Sequence, residues 1–335
     1  MNNPPAPVPN QPKTRTINGM YSLSTCWNSH RHTDGRAMLQ EIAALGFDYA
    51  ELSHGIRVSL VPGILDAVDA GELRISTLHN FCPLPMGVNH AAPNVYEFTA
   101  ADPRERECAL KQTFKTLEFA VRVKARLVVL HMGTLKEMKP KGTFLGLFGP
   151  EDFTDTLLDM VAAKEHESAK FQKLLAEAVD QQEKLKSKPM ELTAAALKQI
   201  ATRAADLGLQ LGIENREALE EVPLDSEMAF FLKEFPAPTV RYWHDTGHAQ
   251  IKEHLGFLHH VTHLGSLADR LGGLHIHDVA FPGTDHREPG TGTVDFAALR
   301  AFVKPEHIKV FEFSPSLKTE EVKRGVAHVK QLWGG

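Results

Sequence analysis

The chain has 335 residues, of which 42% are hydrophobic and 24% are charged, and its formal net charge is −5. This composition is typical of a soluble globular protein and excludes a disordered or membrane-embedded chain. The acidic balance gives no electrostatic footprint for a polyanion, so nucleic acid is a disfavoured partner. No stretch approaches the roughly 18 apolar residues of a membrane span, and no membrane association is expected.

The cysteines and the first residues indicate a cytoplasmic protein. Cys26, Cys82 and Cys108 form no CxxC pair and are odd in number, which suits reduced thiols better than a disulfide framework. Residues 1–18 contain several prolines and no apolar core. We therefore expect a flexible leader there rather than a signal peptide.

Short apolar runs alternate with amphipathic helical patterns along the chain. Eight runs are predicted as strands: MYSLSTCW, FDYAELS, RISTLHN, RLVVLHMG, LQLGIEN, VRYWHDT, LGGLHIHD and IKVFEFS. Several helical stretches between them close with a glycine suited to a helix C-cap. The alternation predicts a (β/α)8 TIM barrel in one domain over residues 19–335. A doubly wound open sheet is the alternative, disfavoured because no Gly-rich phosphate loop follows the first strand.

Ionisable side chains stand at the ends of most of these strands. They are Glu51, His79, His131, Glu214, Asp245 with His248, His275 with His277 and Asp278, and Glu312. Because the carboxyl ends of barrel strands meet at one mouth, where barrel enzymes keep their active sites, we expect these groups to converge.

Carboxylates that face one another repel unless a positive group neutralises them, and a divalent cation is the simplest candidate. A mixed set of carboxylates and imidazoles suits Mn²⁺, Zn²⁺, Co²⁺ or Fe²⁺, whereas an all-oxygen set favours Mg²⁺ or Ca²⁺. No cysteine stands at the later strand ends, which argues against a closed structural zinc site. The prediction is one divalent metal ion, with Mn²⁺ as first choice and Co²⁺, Zn²⁺ or Mg²⁺ as alternatives.

The motifs GIEN, HDTGHA, HIHD, DHREPGTG and FEFS, in this order, resemble the xylose-isomerase-like TIM barrel superfamily. That superfamily includes sugar-phosphate isomerases and epimerases, ketose 3-epimerases, inosose dehydratases and the AP endonuclease family 2 proteins such as endonuclease IV. The resemblance covers about residues 19 to 332. It implies one metal held from strands five to eight by Glu214, Asp245, His275 and Glu312.

The resemblance also implies the chemistry. In the similar epimerases and isomerases, two ligand glutamates exchange a proton with a carbon next to a carbonyl, through a metal-stabilised enediolate. Glu214 and Glu312 would be this acid/base pair in a sugar isomerase or epimerase. A lyase or dehydratase acting on a sugar, polyol or keto-glycoside is the alternative. A sugar-binding barrel without catalysis is disfavoured because both glutamates are present.

Other polar groups at the mouth are expected to contact a small sugar or polyol substrate. They are His248, His277, His286, Arg287, His79, His131 and Glu51. His275 and His277 cannot be separated by strand alternation, because residues two apart face the same way. The family pattern favours His275 as the ligand and leaves His277 to contact either the substrate or a ligand. Glu51 has the alternative of an ion pair with a ligand.

Endonuclease IV-like relatives carry extra histidines on strands three and four and bind three zinc ions. His79 and His131 stand at these places, so a second metal site and an abasic-site endonuclease remain alternatives. Against them, the relatives space a loop aspartate and histidine as DxH, whereas Asp285 and His286 are adjacent here. The acidic net charge also disfavours binding to a phosphodiester backbone.

Two insertions are expected in the barrel. The first follows strand three, and the second runs from about residue 134 to residue 190 after strand four. Residues 153–188 in the second are predicted as one long amphipathic helix. The preceding stretch GTFLGLF is predicted as an apolar lid or a subunit contact. The oligomeric state is left open, with a homo-oligomer as one alternative.

Overall fold

The computed structural model of the protein describes residues 19–140 and 152–334. Within these ranges eight parallel strands close into a barrel, and each strand is followed in the chain by at least one helix. The predicted (β/α)8 TIM barrel is confirmed. The barrel strands are β1 (Tyr21–Ser24), β2 (Tyr49–Leu52), β3 (Arg74–His79), β4 (Leu127–Leu130), β5 (Gln210–Glu214), β6 (Val240–Asp245), β7 (Leu271–Ile276) and β10 (Ile308–Phe311).

Between β7 and β10 lies a small antiparallel hairpin that sequence patterns did not reveal. Its strands are β8 (Asp278–Ala280) and β9 (Thr284–Arg287). Asp278 is buried at its base and accepts hydrogen bonds from the backbone N–H groups of Gly290, Gly292 and Val294 at 2.8–3.0 Å. The hairpin is therefore anchored to the loop that follows it.

The helices are α1 (Gly35–Ala44), α2 (Val61–Asp69), α3 (Pro103–Arg122), α4 (Phe153–Ala162), α5 (Ala169–Leu185), α6 (Ser187–Asp206), α7 (Met228–Lys233), α8 (Thr246–His254), α9 (His260–Leu267), α10 (Phe296–Leu299) and α11 (Thr319–Trp333). Several begin at an aspartate or serine whose side chain accepts a backbone N–H of the first turn, as Asp34 and Asp102 do. No helix in the part of the chain described is long and apolar enough to cross a membrane.

The segment predicted as one long helix is two helices, so that prediction was wrong. α4 ends before Lys164, which has a φ of 62°, a left-handed conformation that a helix cannot continue through. α5 then starts at its own cap, where Ser168 Oγ accepts the N–H of Phe171 at 3.1 Å. The predicted GTFLGLF lid and the predicted leader both lie outside the described residues.

The helices α4 and α5 share a hydrophobic cluster with the loop after β5, separate from the main core. This insertion cluster includes Phe153, Phe171 and Leu219. Polar contacts reinforce it. The carboxylate of Glu220 accepts the N–H of Phe153 at 2.6 Å and the hydroxyl of Thr154 at 2.7 Å. The loop after β5 is thus fastened to the first turn of α4.

The barrel interior is filled at mid-height by an apolar layer. Trp243 packs there with Leu127, Val129, Ile308 and Val310. Its indole needs Gly273 opposite, because a Cβ on that glycine would lie 2.3 Å from the ring. Side chains two residues further along each strand face the same way. The apolar layer therefore forms a floor beneath the inward-facing residues at the strand ends.

On its other face, β6 carries a buried polar chain. Tyr242 Oη lies 2.8 Å from His244 Nδ1, and His244 Nε2 lies 2.9 Å from His260 Nε2. His260 Nδ1 in turn lies 3.1 Å from Gln250 Oε1. Burial, with neighbouring His263, lowers the pKa of His260 from 6.5 to about 3. The imidazole is therefore neutral in the folded protein at any pH near neutrality.

This burial predicts a loss of stability in mild acid. Between pH 6.5 and 3 the unfolded chain protonates His260 and the folded chain does not, so the free energy of unfolding falls as the pH falls. At pH 5 this one residue should account for a loss of about 2 kcal/mol. Urea unfolding at pH 7 and pH 5 measures it in the parent, in His260→Gln and in His166→Gln, an exposed control. An equal loss in the parent and in His260→Gln would contradict the prediction.

Candidate active site

Four buried side chains from neighbouring strands converge at the carboxyl-terminal mouth of the barrel. Glu214, Asp245, His275 and Glu312 offer ligand atoms that all lie within 4.8 Å of one another. His275 Nδ1 lies 2.7 Å from Glu214 Oε1 and 3.1 Å from Glu312 Oε2. The same nitrogen lies 3.9 Å from Asp245 Oδ2. The structure thus brings together the four residues that the resemblance assigns to the metal, which we call the four-ligand group.

In this group three carboxylates lie close to a single imidazole, and their charges shift one another's pKa values. Burial raises the pKa of Glu214, but the charge of His275 and hydrogen bonds from His131 and His275 outweigh it and hold that pKa well below its usual range. Burial lowers the pKa of His275, but Glu312, Glu51 and Glu214 outweigh it and raise that pKa well above its usual range. One imidazolium cannot neutralise the carboxylates around it. A divalent ion would offset two of the three negative charges, and three carboxylates with one imidazole suit Mn²⁺, Co²⁺, Fe²⁺ or Zn²⁺.

Glu51 bonds the ring nitrogen of His275 that faces away from the other three acids. Glu51 is fully buried, and its Oε2 lies 3.1 Å from His275 Nε2 and accepts the hydroxyl of Thr77 at 2.9 Å. A carboxylate that accepts the Nε2–H leaves Nδ1 free to face the other acids, as is common for metal-ligating histidines. Glu51 is therefore not among the residues that line the cavity above. Of the two roles left open for Glu51, this geometry favours the ion pair with a ligand over a substrate contact.

His277 is fully buried and bonds a member of the group rather than lining the cavity. Its Nδ1 accepts the backbone N–H of His286 at 2.9 Å. Its Nε2, lying 3.0 Å from Asp245 Oδ2, therefore carries the proton and donates it to that carboxylate. Of the two roles left open for His277, the geometry supports contact with a ligand.

Asn215 forms hydrogen bonds with Asp245 and His248 of the site and with Tyr242 behind it. Its Oδ1 accepts the backbone N–H of Asp245 at 2.7 Å, and its Nδ2 donates to the Asp245 carbonyl at 3.0 Å. Its own carbonyl accepts His248 Nδ1 at 3.0 Å, and Tyr242 Oη donates to Oδ1 at 3.1 Å. We did not single out Asn215 from the sequence, although it follows Glu214 directly. A strand pattern gives no sign of which outward polar residue bridges to the next strand.

His79 and His131 approach the other oxygen of Glu214. Their Nε2 atoms lie 3.1 Å apart and 3.3 and 3.0 Å from Glu214 Oε2. The Nδ1 of His79 faces the Asn80 carbonyl at 2.8 Å, so it carries the proton and leaves Nε2 as an acceptor. Several acceptors thus face one another, and the Arg216 guanidinium, in contact with His131 Nε2, is the donor among them. These two histidines and Glu214 form a second set of candidate metal ligands.

A cavity of about 720 Å³ opens above the four-ligand group. As expected, His79, His131, His248, His286 and Arg287 line it, and so do Glu214 and Glu312. The hairpin presents His286 with a φ of 53°, its Nδ1 2.8 Å from Asp285 Oδ2 and its ring stacked on His277 at 4.2 Å. Burial lowers the pKa of His286, but the hydrogen bonds to Asp285 and Glu312 outweigh the effect of burial. The pKa of His286 therefore lies well above its usual range.

Several lining residues were not predicted from the sequence, and two of them stand beside the four-ligand group. Arg216 and Glu217 lie in the loop directly after β5. Arg216 is buried and pairs with Glu221 at 2.7 Å. Glu217 shares a cluster of candidate ligand atoms with His248 and Asp285, and burial raises its pKa. Their position after a strand that ends in a ligand was the available signal.

The chain belongs to the xylose isomerase-like TIM barrel family, whose model matches residues 39–332. Solved structures with the same fold include a D-tagatose 3-epimerase-like protein, at 15% identity and a TM-score of 0.64 over 93% of this chain and 96% of that one. The 3-keto-D-glucoside 4-epimerase of E. coli aligns at 15% identity and a TM-score of 0.62, over 93% of this chain and 99% of that one. The IOLI protein with a binding zinc atom aligns at 12% identity and a TM-score of 0.61, over 94% of this chain and 100% of that one. No curated protein sequence matches significantly.

The bridging role of Asn215 predicts a loss of stability and of metal affinity in Asn215→Ala. The change leaves a buried N–H and a buried carbonyl of Asp245 without partners, which should cost about 1–3 kcal/mol. Urea unfolding and metal titration measure the two effects. Gln210→Ala is the matched control, because it removes an exposed amide from the other end of the same strand. Equal unfolding midpoints and metal affinities for both variants and the parent would contradict the role.

Proposed function

We propose that the protein is a metal-dependent sugar isomerase or epimerase that moves a proton at a carbon next to a carbonyl. One observation carries the proposal. Of the four-ligand group, Glu214 and Glu312 also line the cavity, whereas Asp245 and His275 are enclosed beneath it. The two carboxylates that can reach a substrate are thus the two needed to remove a proton and to return one.

Glu214, Asp245, His275 and Glu312 would hold the metal, with Mn²⁺ as first choice. When bound, a divalent ion supplies positive charge against the carbonyl and hydroxyl oxygens of the substrate. Glu214 and Glu312 act as acid and base. His248, whose Nδ1 is fixed by the Asn215 carbonyl, presents Nε2 as the nitrogen left for a substrate oxygen. Arg287 on the hairpin orients polar groups from the rim.

The fold neighbours support a sugar as the substrate class. They include a D-tagatose 3-epimerase-like protein and a 3-keto-D-glucoside 4-epimerase. Another is a D-allulose 3-epimerase from Methylomonas sp. in complex with D-allulose. These activities share a step in which a C–H bond next to a carbonyl is broken. The acid/base pair proposed for this chain is suited to the same step.

A second candidate, phosphodiester cleavage as in the abasic-site endonucleases, is favoured by one observation. His79 and His131 lie within 3.3 Å of Glu214 Oε2, where a second metal would share that carboxylate. The net charge of −5 disfavours a nucleic-acid substrate. We therefore place this candidate second, and the number of bound metal ions separates the two.

Metal content is the first expected outcome. We expect about one equivalent of Mn, Co, Zn or Mg in the purified parent, and loss of that metal in Asp245→Asn and His275→Ala, because each change removes a donor atom from the four-ligand group. Elemental analysis measures the metal content. The control is Glu234→Gln, a change at an exposed residue directly after α7. Three zinc ions per chain would favour the endonuclease candidate. No metal under any loading condition would overturn the metal-dependent function.

Proton exchange is the second expected outcome. The parent should incorporate deuterium from D₂O at the carbon next to the carbonyl of a ketohexose such as D-allulose or D-tagatose, as followed by NMR. Glu214→Gln and Glu312→Gln should each lower the exchange rate by about 10²–10⁴-fold, because an amide can neither accept nor return the proton. Glu234→Gln should exchange at the parent rate. If the glutamine variants retained full exchange, the acid/base assignment would be wrong.

A further inference from the structure

The half of the barrel mouth away from the four-ligand group forms a separate wall of the cavity. The ligands come from β5, β6, β7 and the end of β10, whereas the loops after β1, β2 and β3 build the opposite side. We call this side the outer pocket. Its side chains are Ser29, His30, His54, Arg57, Asn89 and His90.

The size of the cavity exceeds the needs of one sugar ring. At the roughly 30 Å³ that a water molecule occupies in the liquid, 720 Å³ holds about 24 water-sized groups, about twice the non-hydrogen atoms of a free hexose. A single ring at the four-ligand group would leave the outer pocket to water. A second ring of similar size would fill it.

The outer pocket is built from interlocked loops. Arg57 Nη2 donates to the carbonyl of His32 at 2.6 Å and to that of Ser29 at 3.2 Å, which joins the loops after β1 and β2. The backbone N–H of Ala92 donates to the His54 carbonyl at 3.4 Å, which joins the loops after β2 and β3. The loops that carry these side chains are therefore joined to one another by hydrogen bonds.

His54 is the residue that shows what the outer pocket takes. Its ring lies 4.8 Å from that of His79, edge to face, and His79 contacts Glu214, so His54 stands one imidazole away from the four-ligand group. Its Nδ1 is buried and has no hydrogen-bond partner among the described residues. Such orphaned polar atoms are rare in folded proteins and call for an explanation.

The side chains of the outer pocket favour an uncharged ligand over a phosphate. A hydroxyl group can both donate and accept hydrogen bonds, so it can pair with imidazole nitrogens and with the amide of Asn89. Of the six outer-pocket side chains, Arg57 alone carries a permanent charge, and its Nη2 is committed to backbone carbonyls.

We propose that the substrate is a two-ring sugar, a keto-glycoside of disaccharide size. Its keto ring lies at the four-ligand group and its second, uncharged ring lies in the outer pocket against His54 and Asn89. This inference rests on the proposed function for the reacting ring. The inference goes beyond that function because it assigns a second binding subsite and the class of glycoside that fills this subsite.

The test compares two compounds that share the reacting ring, 3-keto-D-glucose and 3-keto-cellobiose. Deuterium incorporation from D₂O gives kcat/KM for each, and calorimetry gives the Kd of each for the metal-loaded protein. We expect kcat/KM to be at least about tenfold higher, and Kd at least about tenfold lower, for the two-ring compound. One additional ring with several hydroxyl contacts readily supplies the 1.4 kcal/mol that a tenfold change represents.

The variants locate the second ring. His54→Ala and Asn89→Ala should each reduce the preference for 3-keto-cellobiose at least threefold, acting on KM more than on kcat. His166→Ala, an exposed histidine of the α4–α5 loop, should keep the parent ratio. A preference that persists in both outer-pocket variants would overturn the assignment of the second ring to this wall.

The two proposals fail in different ways. If neither compound exchanges deuterium but 3-keto-cellobiose still binds at least tenfold more tightly, the second-ring subsite stands and the proton-transfer function fails. If both exchange and bind equally well, the proton-transfer function stands and the two-ring substrate is overturned. Preference for a phosphorylated ketose such as D-fructose 6-phosphate over 3-keto-cellobiose would also overturn it.

Discussion

The structure of the mouth depends on how one imidazole and three acidic side chains share a closed space. His275 Nδ1 faces Glu214 and Glu312, and Asp245 lies just beyond. Three neighbouring residues support this unit: Glu51 fixes the proton of His275, His277 donates to Asp245, and Asn215 fixes the backbone of Asp245. Buried carboxylates at such distances are costly without compensating charge, which the surrounding hydrogen bonds supply in part and a divalent metal ion would supply further.

The barrel and the convergence of polar side chains at its mouth could be predicted from the sequence because both follow from short-range regularities. Parallel strands buried on both faces give recognisable apolar runs, and their carboxyl ends meet at one mouth in this fold. Period-two alternation then places Glu214 above Gly212 and His275 above Gly273, all facing inward. The resemblance of the motifs supplied the choice of the four ligands among these groups, including His275 over His277, which alternation alone leaves undecided.

What the sequence did not reveal depends on contacts between distant segments. Glu51 and His275 are far apart in the chain, and only the closed barrel shows that one holds the other. The break between α4 and α5 needs one residue, Lys164, in a left-handed conformation, which a hydrophobic pattern does not register. The buried histidines behind β6 resemble ordinary strand and helix residues in the sequence, because their partners come from other elements.

The insertion cluster has a consequence for how the protein would fail on heating. It is a hydrophobic unit apart from the main core, yet it is joined to the loop that carries Arg216 and Glu217. Leu219 of that loop belongs to the cluster, and the carboxylate of Glu220 bonds the first turn of α4. Units with separate cores can open independently and at lower free energy than the whole molecule. Partial melting of α4 and α5 would release one wall of the cavity while the barrel stayed intact. Reversible loss of activity would then accompany the melting of these two helices and precede the unfolding of the barrel, and the lifetime of the active form would be set by the insertion rather than by the barrel.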